Sequence, residues 1–399
     1  MLGHLDPAKA GAGLSQFTGA FLGPRLRPFV YQVLLAAALC LGIWYLVSNA
    51  AQNLFELGIA AGFGFLSREA GFAIGETTLL SYSAADTYLR AIVVGFLNTV
   101  RAATLAIVCA TVLGVVIGLA RLSTNWLVAK ATAGYVEVLR NVPLVVQLFF
   151  WYALITESLP GPADALHPFP GIFISNRGLV FPILKLAPVN GWLVAVIVLA
   201  LIITVAWILR PSSTPTSRDK RVGIPIALAG GLAAVLFVSA LAGIELDYPA
   251  FSGFNFSGGG SLSPEFTALF LGLTLYTAAF IAEIVRAGIL AVDRGQFEAA
   301  YSLGLTQRQV MRFIILPQAL RVILPPLTSQ YMNCTKNSSL AVAIGYPDLV
   351  SVANTTINQT GQAVEGIAII MLVYLSISLA ISAFMNWYNR RFALQGSRR

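Results

Sequence analysis

Long runs of apolar residues constrain this chain more than any other feature of its sequence. Several windows hold more than roughly 18 predominantly apolar residues, about the length that a helix needs to cross the ~30 Å hydrocarbon core of a bilayer. Charged residues make up 11% of the chain, against about a quarter in soluble domains. The sequence lacks the ~10-residue segments of alternating hydrophobicity that are typical of membrane β-barrels. It therefore predicts an all-α, polytopic membrane protein.

About eight transmembrane helices are predicted by this length criterion. Their ranges are 29–50, 91–120, 137–157, 190–209, 223–245, 265–290, 321–345 and 366–388. The seventh span is predicted to be broken and polar, because Pro325, Pro326 and the run 333–339 would disrupt regular helical hydrogen bonding. The connections 161–171 and 251–264 are rich in glycine and proline, and we expect irregular loops there.

The basic residues are distributed unevenly between the two sides of the predicted bundle. One set of connections, which includes the turn 210–221 and the segment 390–399, holds most of the arginines and lysines, whereas the opposite set is mainly acidic. The positive-inside rule makes the first set cytoplasmic, with both termini inside. The net charge of +8 is explained in this way, and we expect no nucleic-acid partner.

A polar segment, 293–317, interrupts the apolar sequence on the cytoplasmic side. Asp293 and Thr306 each stand three residues before a glutamine, which is the spacing of a capping box at the start of a helix. Gly304 lies between them and tolerates the left-handed conformation that ends a helix. The sequence therefore predicts two short helices joined at Gly304. Physical reasoning leaves two surroundings open for them, a groove on a partner protein or the lipid headgroups.

The same segment has the form EAA-x3-G-x9-I-x-L-P. The matching residues are Glu298, Ala299, Ala300, Gly304, Ile314, Leu316 and Pro317. The pattern resembles the cytoplasmic signature of permease subunits of bacterial ABC importers. The stretches YVEVLRNVPLVVQLFFWY (135–152), AAFIAEIVRAGI (278–289) and TKNSSLAVAIGYPDLVSV (335–352) resemble the polar-amino-acid branch, specifically general L-amino-acid transporter permeases.

This resemblance implies an organisation for the chain. Residues 91–390 would contain the five-helix core of a type I importer permease, with a two-helix insertion at 158–264. Residues 1–90 would form a cytoplasmic leader, a first transmembrane helix and a periplasmic loop, and residues 391–399 a basic cytoplasmic tail. The protein would be a multi-pass protein of the bacterial inner membrane.

The resemblance also implies partners. Glu298 to Leu305 would form a coupling helix that sits in a cleft of a cytoplasmic ATPase subunit. A second, homologous permease chain and a periplasmic amino-acid-binding protein would complete an importer that moves L-amino acids by alternating access. The sequence holds no GxxxxGK[ST] phosphate-binding loop, so we expect this subunit not to be an enzyme and to hold no cofactor of its own. ATP and Mg would be bound by the ATPase subunit.

Ionisable and polar residues within the spans are candidates for the substrate pathway, because such groups are costly in a bilayer. The residues that we select are Glu283, Lys336, Asn337, Ser338 and Ser339. An acidic and a basic group would match the ammonium and carboxylate of an amino acid. Alternatively, Glu283 and Lys336 pair with each other, Lys336 extends to the membrane interface, and the polar residues form hydrogen bonds between helices.

Two other functional classes remain open on the residues alone. A secondary amino-acid transporter or channel that works without an ATPase would explain the apolar spans and their charged residues. A membrane scaffold without transport activity would explain the spans alone. Neither alternative explains the polar segment with its full EAA pattern.

Overall fold

The computed structural model describes residues 27–56, 62–186 and 244–393, which are mainly helical. The helices are α1 (Arg27–Glu56), α2 (Tyr88–Ala120), α3 (Trp126–Asn141), α4 (Leu144–Ala153), α5 (Pro264–Leu290), α6 (Arg294–Ser302), α7 (Gln307–Val310), α8 (Leu316–Asn337), α9 (Leu349–Thr360) and α10 (Ala363–Ala393). Short 3-10 segments cover Phe63–Ser67, Pro162–Asp164 and Ser338–Ile344, and π-helical turns cover Leu154–Ser158 and Met311–Ile315.

Several of these helices are long and apolar enough to cross a membrane. In the described part of the chain these segments are Phe29–Leu46, Tyr88–Ala120, Pro264–Leu290, Gln307–Ile344 and Ala363–Asn389, and a bent pair makes a sixth. The predicted spans 190–209 and 223–245 lie outside the described residues, except that 244 and 245 begin a strand. The prediction of a helical, polytopic membrane protein is confirmed.

The predicted span 137–157 is not one straight helix. Helix α3 and the helical segment that follows it meet at 103°. The bend lies where Val142 adopts an extended conformation before Pro143, as expected for a residue that precedes proline. The side-chain amide nitrogen of Gln147 donates to the carbonyl oxygens of Leu139, at 2.9 Å, and Val142, at 3.0 Å. Gln147 thereby provides partners for carbonyls that the end of α3 leaves free.

The predicted span 321–345 is less broken than its sequence suggests. The chain is helical from Gln307 to Ile344, and Pro325 and Pro326 lie inside α8. A transmembrane helix tolerates proline where neighbouring helices and polar side chains satisfy the freed backbone groups. Within 321–345 the hydrogen-bond pattern changes only after Asn337, where the 3-10 segment begins.

Short strands occupy parts of the connections 161–171 and 251–264, which were predicted to be irregular, and the residues next to them. They are β1 (Leu166–Phe169), β2 (Ile172–Ser175), β3 (Gly178–Phe181), β4 (Ile183–Leu186), β5 (Ile244–Asp247), β6 (Ala250–Ser252), β7 (Asn255–Ser257) and β8 (Gly260–Leu262). Strands β1, β2, β3 and β8 form an antiparallel sheet in that order, and β4–β5 and β6–β7 form separate antiparallel pairs. Strands of three or four residues are too short for their alternating pattern to be recognised in the sequence.

Helix α5 is the centre of the bundle, and 61% of its apolar window is buried. Helix α2 approaches it closely through two glycines. A Cβ atom on Gly114 would lie 2.7 Å from the Cβ of Ile281, and one on Gly118 would lie 2.7 Å from the carbonyl oxygen of Ala282. This GxxxG spacing therefore serves close helix packing. The apolar window of α1, by contrast, has no buried residues.

Helix α5 separates two polar regions, one at each of its ends. The strands come immediately before its first residue and helix α6 comes shortly after its last. Because α5 has 27 residues, these regions lie roughly 40 Å apart at 1.5 Å per residue. We call them the strand end and the α6 end of the bundle.

Candidate functional site

The α6 end carries the segment with the EAA pattern. The capping box predicted at Thr306 forms, whereas at Asp293 only the aspartate cap forms, and the side chain of Gln296 bonds to Gln318 instead. The prediction of a second short helix is wrong, because the chain is helical from Gln307 to Ile344.

A carboxylate oxygen of Asp293 accepts the backbone N–H of Gly295 at 2.6 Å, and α6 then extends to Ser302. Gly304 has a φ of 72°, the left-handed conformation that allows the chain to turn without a Cβ clash. The side chain of Gln309 accepts the backbone N–H of Thr306 at 2.9 Å and starts the next helix.

The residues of the EAA pattern divide between the surface and the core. Glu298, Ala299, Gly304, Leu316 and Pro317 are exposed, Leu305 and Ile314 are half-buried, and Ala300 is buried.

Ala300 belongs to a core cluster with Ile289, Ile315 and Ile323, which joins α6 to the ends of α5 and α8. Phe297 packs against the same cluster. Leu303 is 78% exposed and Tyr301 is 50% exposed. The tip of the segment therefore presents large apolar side chains, while its base is fixed to the bundle.

A charge cluster lies about two turns inside the α6 end. One carboxylate oxygen of Glu283, on α5, accepts from Arg286 at 2.6 Å, and the other accepts from Arg121 at the end of α2. Arg140, in the last turn of α3, lies 4.0 Å from the same carboxylate. Glu283 thus joins three helices. Its predicted alternative partner, Lys336, makes no ion pair within the described ranges.

Arg140 is the least constrained arginine of this cluster. Its side chain is 40% exposed, against 14% for Arg121, and its guanidinium lies 5.0 Å from the centre of the Phe280 ring. One carboxylate faces three guanidinium groups, so the cluster carries an excess of positive charge. An exposed guanidinium beside a carboxylate is chemically suited to a ligand that carries both charges.

The other predicted pathway residues lie where α8 changes into the 3-10 segment. Gly288, near the end of α5, faces Ile323, near the start of α8. Cys334 therefore comes level with Thr277, the middle residue of α5, so this change lies near the midplane of the bundle. Lys336 is exposed, Asn337 and Ser339 are half-buried, and Ser338 is buried.

The hydroxyls of the two serines are engaged locally. Ser338 donates to the carbonyl oxygen of Thr335 at 2.7 Å, and Ser339 donates to that of Lys336 at 2.7 Å. In this conformation, only the Lys336 side chain among these residues is fully available to a ligand.

Lys336 continues a polar face that the sequence did not single out. Ser329, Asn333 and Lys336 are all exposed and recur at the four- and three-residue spacing of one helix face. We call these three residues the α8 polar face. Of these three residues only Lys336 is charged, whereas the helical spacing of α8 places all three on one face.

Buried polar side chains of α2 hold the segment after the helix break. The side-chain amide of Asn98 donates to the carbonyl oxygens of Pro347 and Glu76, both at 2.9 Å. The hydroxyl of Thr99 accepts the backbone N–H of Leu349 at 3.0 Å. The connection between the 3-10 segment and α9 is therefore fixed to α2. Sequence reasoning missed these residues, although two polar residues in the apolar run of α2 were a signal.

An ion pair fixes the loop before α2 at the strand end. Arg101 donates to Glu76 at 2.7 Å, and both side chains are nearly buried. The guanidinium of Arg101 also lies 4.2 Å from the centre of the Phe266 ring on α5. Because Arg101 and Glu76 pair with each other, Arg101 has a structural role and is not available as a free cation.

This chain is similar in sequence to known membrane transport proteins. Residues 222–394 match the family described as "Binding-protein-dependent transport system inner membrane component". The chain is 49% identical over 388 residues to the putative amino-acid ABC transporter permease protein YhdX of Escherichia coli (strain K12), covering 94% of this chain and 96% of that protein.

Two further relatives match over almost their whole length. The General L-amino acid transport system permease protein AapQ of Rhizobium johnstonii is 45% identical, and 96% of each chain is covered. The glutamate/glutamine/aspartate/asparagine transport system permease protein BztB of Rhodobacter capsulatus is 40% identical, and 98% of each chain is covered. The chain therefore belongs to the family of inner membrane components of binding-protein-dependent transport systems, as a multi-pass, non-catalytic permease subunit of the amino-acid ABC transporter type.

Proposed function

We propose that this permease forms one wall of a pathway for L-amino acids, and that a second, homologous permease chain forms the opposite wall. The α8 polar face is the observation that carries the proposal. A lysine at the centre of a membrane helix costs about 2.5–3.5 kcal/mol on insertion scales. An exposed lysine near the bundle midplane, in line with a serine and an asparagine, is therefore expected to face water rather than lipid.

The substrate class is supported by two charge arrangements. Lys336 offers a cation on the pathway wall, and Arg140 stands exposed beside the carboxylate of Glu283. An amino acid carries a carboxylate and an ammonium, so each arrangement matches at least one of its charges. The names of the relatives, which include a general L-amino acid transport system permease, support the same class.

The exposed tip of the α6 segment is proposed as the contact with a cytoplasmic ATPase subunit. Tyr301 and Leu303 supply apolar contacts, and Glu298 a polar rim, as in helices that bind a groove on a partner. Because Ala300 and Phe297 fix the base of α6 to α5 and α8, a push on the tip would be transmitted to the pathway helices. ATP and Mg would be bound by that partner.

The orientation and organisation follow as parts of the same proposal. The α6 end would face the cytoplasm, together with both termini, and the strand end would face the periplasm. Residues 91–390 would form the importer core with an insertion at 158–264, residues 1–90 a leader, first span and periplasmic loop, and 391–399 a basic tail. The charge distribution between the connections supports this orientation. A secondary transporter without an ATPase is set aside because the chain belongs to a binding-protein-dependent family.

Substitution of Lys336 tests the pathway. The complete importer, with its ATPase and binding protein, is reconstituted in liposomes, and uptake of labelled amino acid is measured. We expect Lys336→Met to lower uptake roughly tenfold or more, as for a lost charge-assisted contact of 1.5–3 kcal/mol, with no loss of assembly. Lys130→Met, which removes an exposed lysine of α3, is the matched control. Unchanged uptake in Lys336→Met would contradict the pathway assignment.

Substitution at Gly304 tests the coupling segment. An alanine there would be strained by about 1–2 kcal/mol because of the positive φ, and a proline cannot adopt this φ. We expect Gly304→Pro to abolish amino-acid-dependent ATP hydrolysis while the permease still inserts, and Gly304→Ala to reduce it. Bulk at Ala300 is a poorer test, because Ala300 is 1% exposed and its enlargement would disturb the core. Retained ATP-driven uptake in Gly304→Pro would count against coupling through α6.

A further inference from the structure

A β-hairpin at the strand end presents an unusually exposed aromatic side chain. Strands β6 and β7 pair in register from Ala250 and Ser257 to Ser252 and Asn255, which leaves Gly253 and Phe254 as the turn. Gly253 has a φ of 67°, a conformation that glycine adopts without strain. Phe254 follows it at the tip and is 89% exposed.

A row of ring contacts fixes this hairpin to the four-stranded sheet. The rings of Phe251 and Phe256, on the two strands of the hairpin, lie 5.9 Å apart. Phe256 is 4.5 Å from Phe173 on β2, and Phe173 is 4.6 Å from His167 on β1. Packed side chains therefore hold the tip in place. Because the tip does not lose conformational freedom when a partner binds, less free energy is lost on binding.

The surroundings of the tip resemble a protein-binding surface more than a lipid-facing one. Phe169, Tyr248 and Phe251 are also exposed, by 67%, 56% and 47%, and aromatic residues are enriched among the residues that dominate binding energy in interfaces. The other exposed residues of the hairpin include Ser252 and Asn255, whereas the exposed face of α10 is apolar. Aromatic anchors among polar neighbours are typical of a contact between proteins in water.

The hairpin borders one cavity at the strand end, and a second cavity adjoins the first. The first, of about 400 Å³, is lined by Asn255, Phe256 and Arg177, together with the loop before α2. The second, of about 410 Å³, shares Glu76 with the first and extends to Pro347, just after the 3-10 segment. A protein seated on the hairpin would therefore stand beside openings that lead toward the helix break.

We propose that the β6–β7 hairpin docks the soluble amino-acid-binding protein, with Phe254 as the anchor. The inference rests on the proposed function, because the strand end must face the periplasm. The family description names a binding protein on which transport depends, and that protein has to reach the permease from the side opposite the ATPase. Strands β1 to β8 would then form the docking surface for that protein and place its amino acid beside the two cavities.

Binding measurements on the complete importer in lipid nanodiscs test this proposal. The affinity of the amino-acid-loaded binding protein is measured for the wild type, Phe254→Ala, Phe254→Trp and Phe63→Ala. We expect Phe254→Ala to weaken binding roughly tenfold, the effect of truncating an interface anchor, and Phe254→Trp to retain it. Phe63→Ala truncates another phenylalanine that is 52% exposed and should bind as the wild type does. Basal ATP hydrolysis without binding protein should stay unchanged in all variants.

Each other outcome contradicts the docking assignment. Wild-type affinity in Phe254→Ala would show that the hairpin is not the docking surface. Loss of thermal stability or basal hydrolysis in that variant would assign Phe254 a structural role, and a change in oligomeric state would assign it to a contact between copies. If the wild-type importer itself shows no stimulation by binding protein, the proposed function fails; if it does and Phe254→Ala binds normally, only this inference fails.

Discussion

The exposed faces of α2 and α8 differ in chemistry although both belong to membrane-spanning segments. On α2, Leu105, Val108, Val112 and Val116 are exposed by 45%, 57%, 63% and 57% and share one helix face. On α8, the exposed polar face consists of Ser329, Asn333 and Lys336. Both faces lack a partner within the described chain, yet only the first is compatible with hydrocarbon.

An exposed side chain in a membrane-spanning helix of this protein can therefore face either lipid or water. The exposed face of α2 is suited to contact with lipid, because its side chains are valine and leucine. The exposed face of α8 is proposed to contact water between two permease chains. The opposite faces of both helices pack on or near α5, so their buried sides are similar. What distinguishes a wall of the pathway from the lipid boundary is therefore the polarity of the exposed face.

A lysine placed on each face should separate them most strongly. We expect Val108→Lys, near the middle of α2, to destabilise the inserted protein by about 3 kcal/mol. Ser329→Lys should change its stability by less than about 1 kcal/mol, because the α8 polar face already tolerates Lys336. Thermal denaturation of the assembled importer in nanodiscs, with the folded fraction after purification, measures both. Equal destabilisation by the two substitutions would remove the distinction between the faces.

A substitution on the buried side of α2 should destabilise the protein less than Val108→Lys does. The Cβ of Gly114→Val would lie 2.7 Å from Ile281, and overpacking of this kind costs about 1–3 kcal/mol. Gly134→Val is the matched control, because a Cβ atom at Gly134 meets nothing within 4 Å. The same denaturation assay compares them. If both variants are equally stable, α2 and α5 are not closely packed in the membrane.

The sequence predicted the long helices and the caps of α6 well, because each depends on local residues. Uninterrupted apolar runs specify α2, α5 and α10, and the positions of Asp293 and Gly304 specify where α6 begins and ends. The family resemblance, carried by the EAA pattern, is confirmed by relatives that match over almost the whole chain.

Features that depend on contacts between distant residues were not predictable in the same way. Arg121 lies 162 residues before its partner Glu283, so no local spacing indicates their ion pair. Helix α9 is short and mixes polar with apolar residues, without a run that reads as a span. The bend before α4 was hidden by the apolar run 144–155 that follows it, although Pro143 was a visible signal.

The most direct test of the account is the water accessibility of the two faces. In a background with Cys40, Cys109 and Cys334 replaced, single cysteines are placed at Asn333 and Val108 and exposed to a membrane-impermeant thiol reagent in the assembled importer. Such reagents require a thiolate, which forms in water and not in hydrocarbon. We expect Asn333→Cys to react roughly tenfold faster or more than Val108→Cys, because its thiolate forms in water whereas the thiol at position 108 lies in lipid. Transported amino acid should slow the reaction of Asn333→Cys. Equal rates at both positions, or no reaction at Asn333→Cys, would contradict the account.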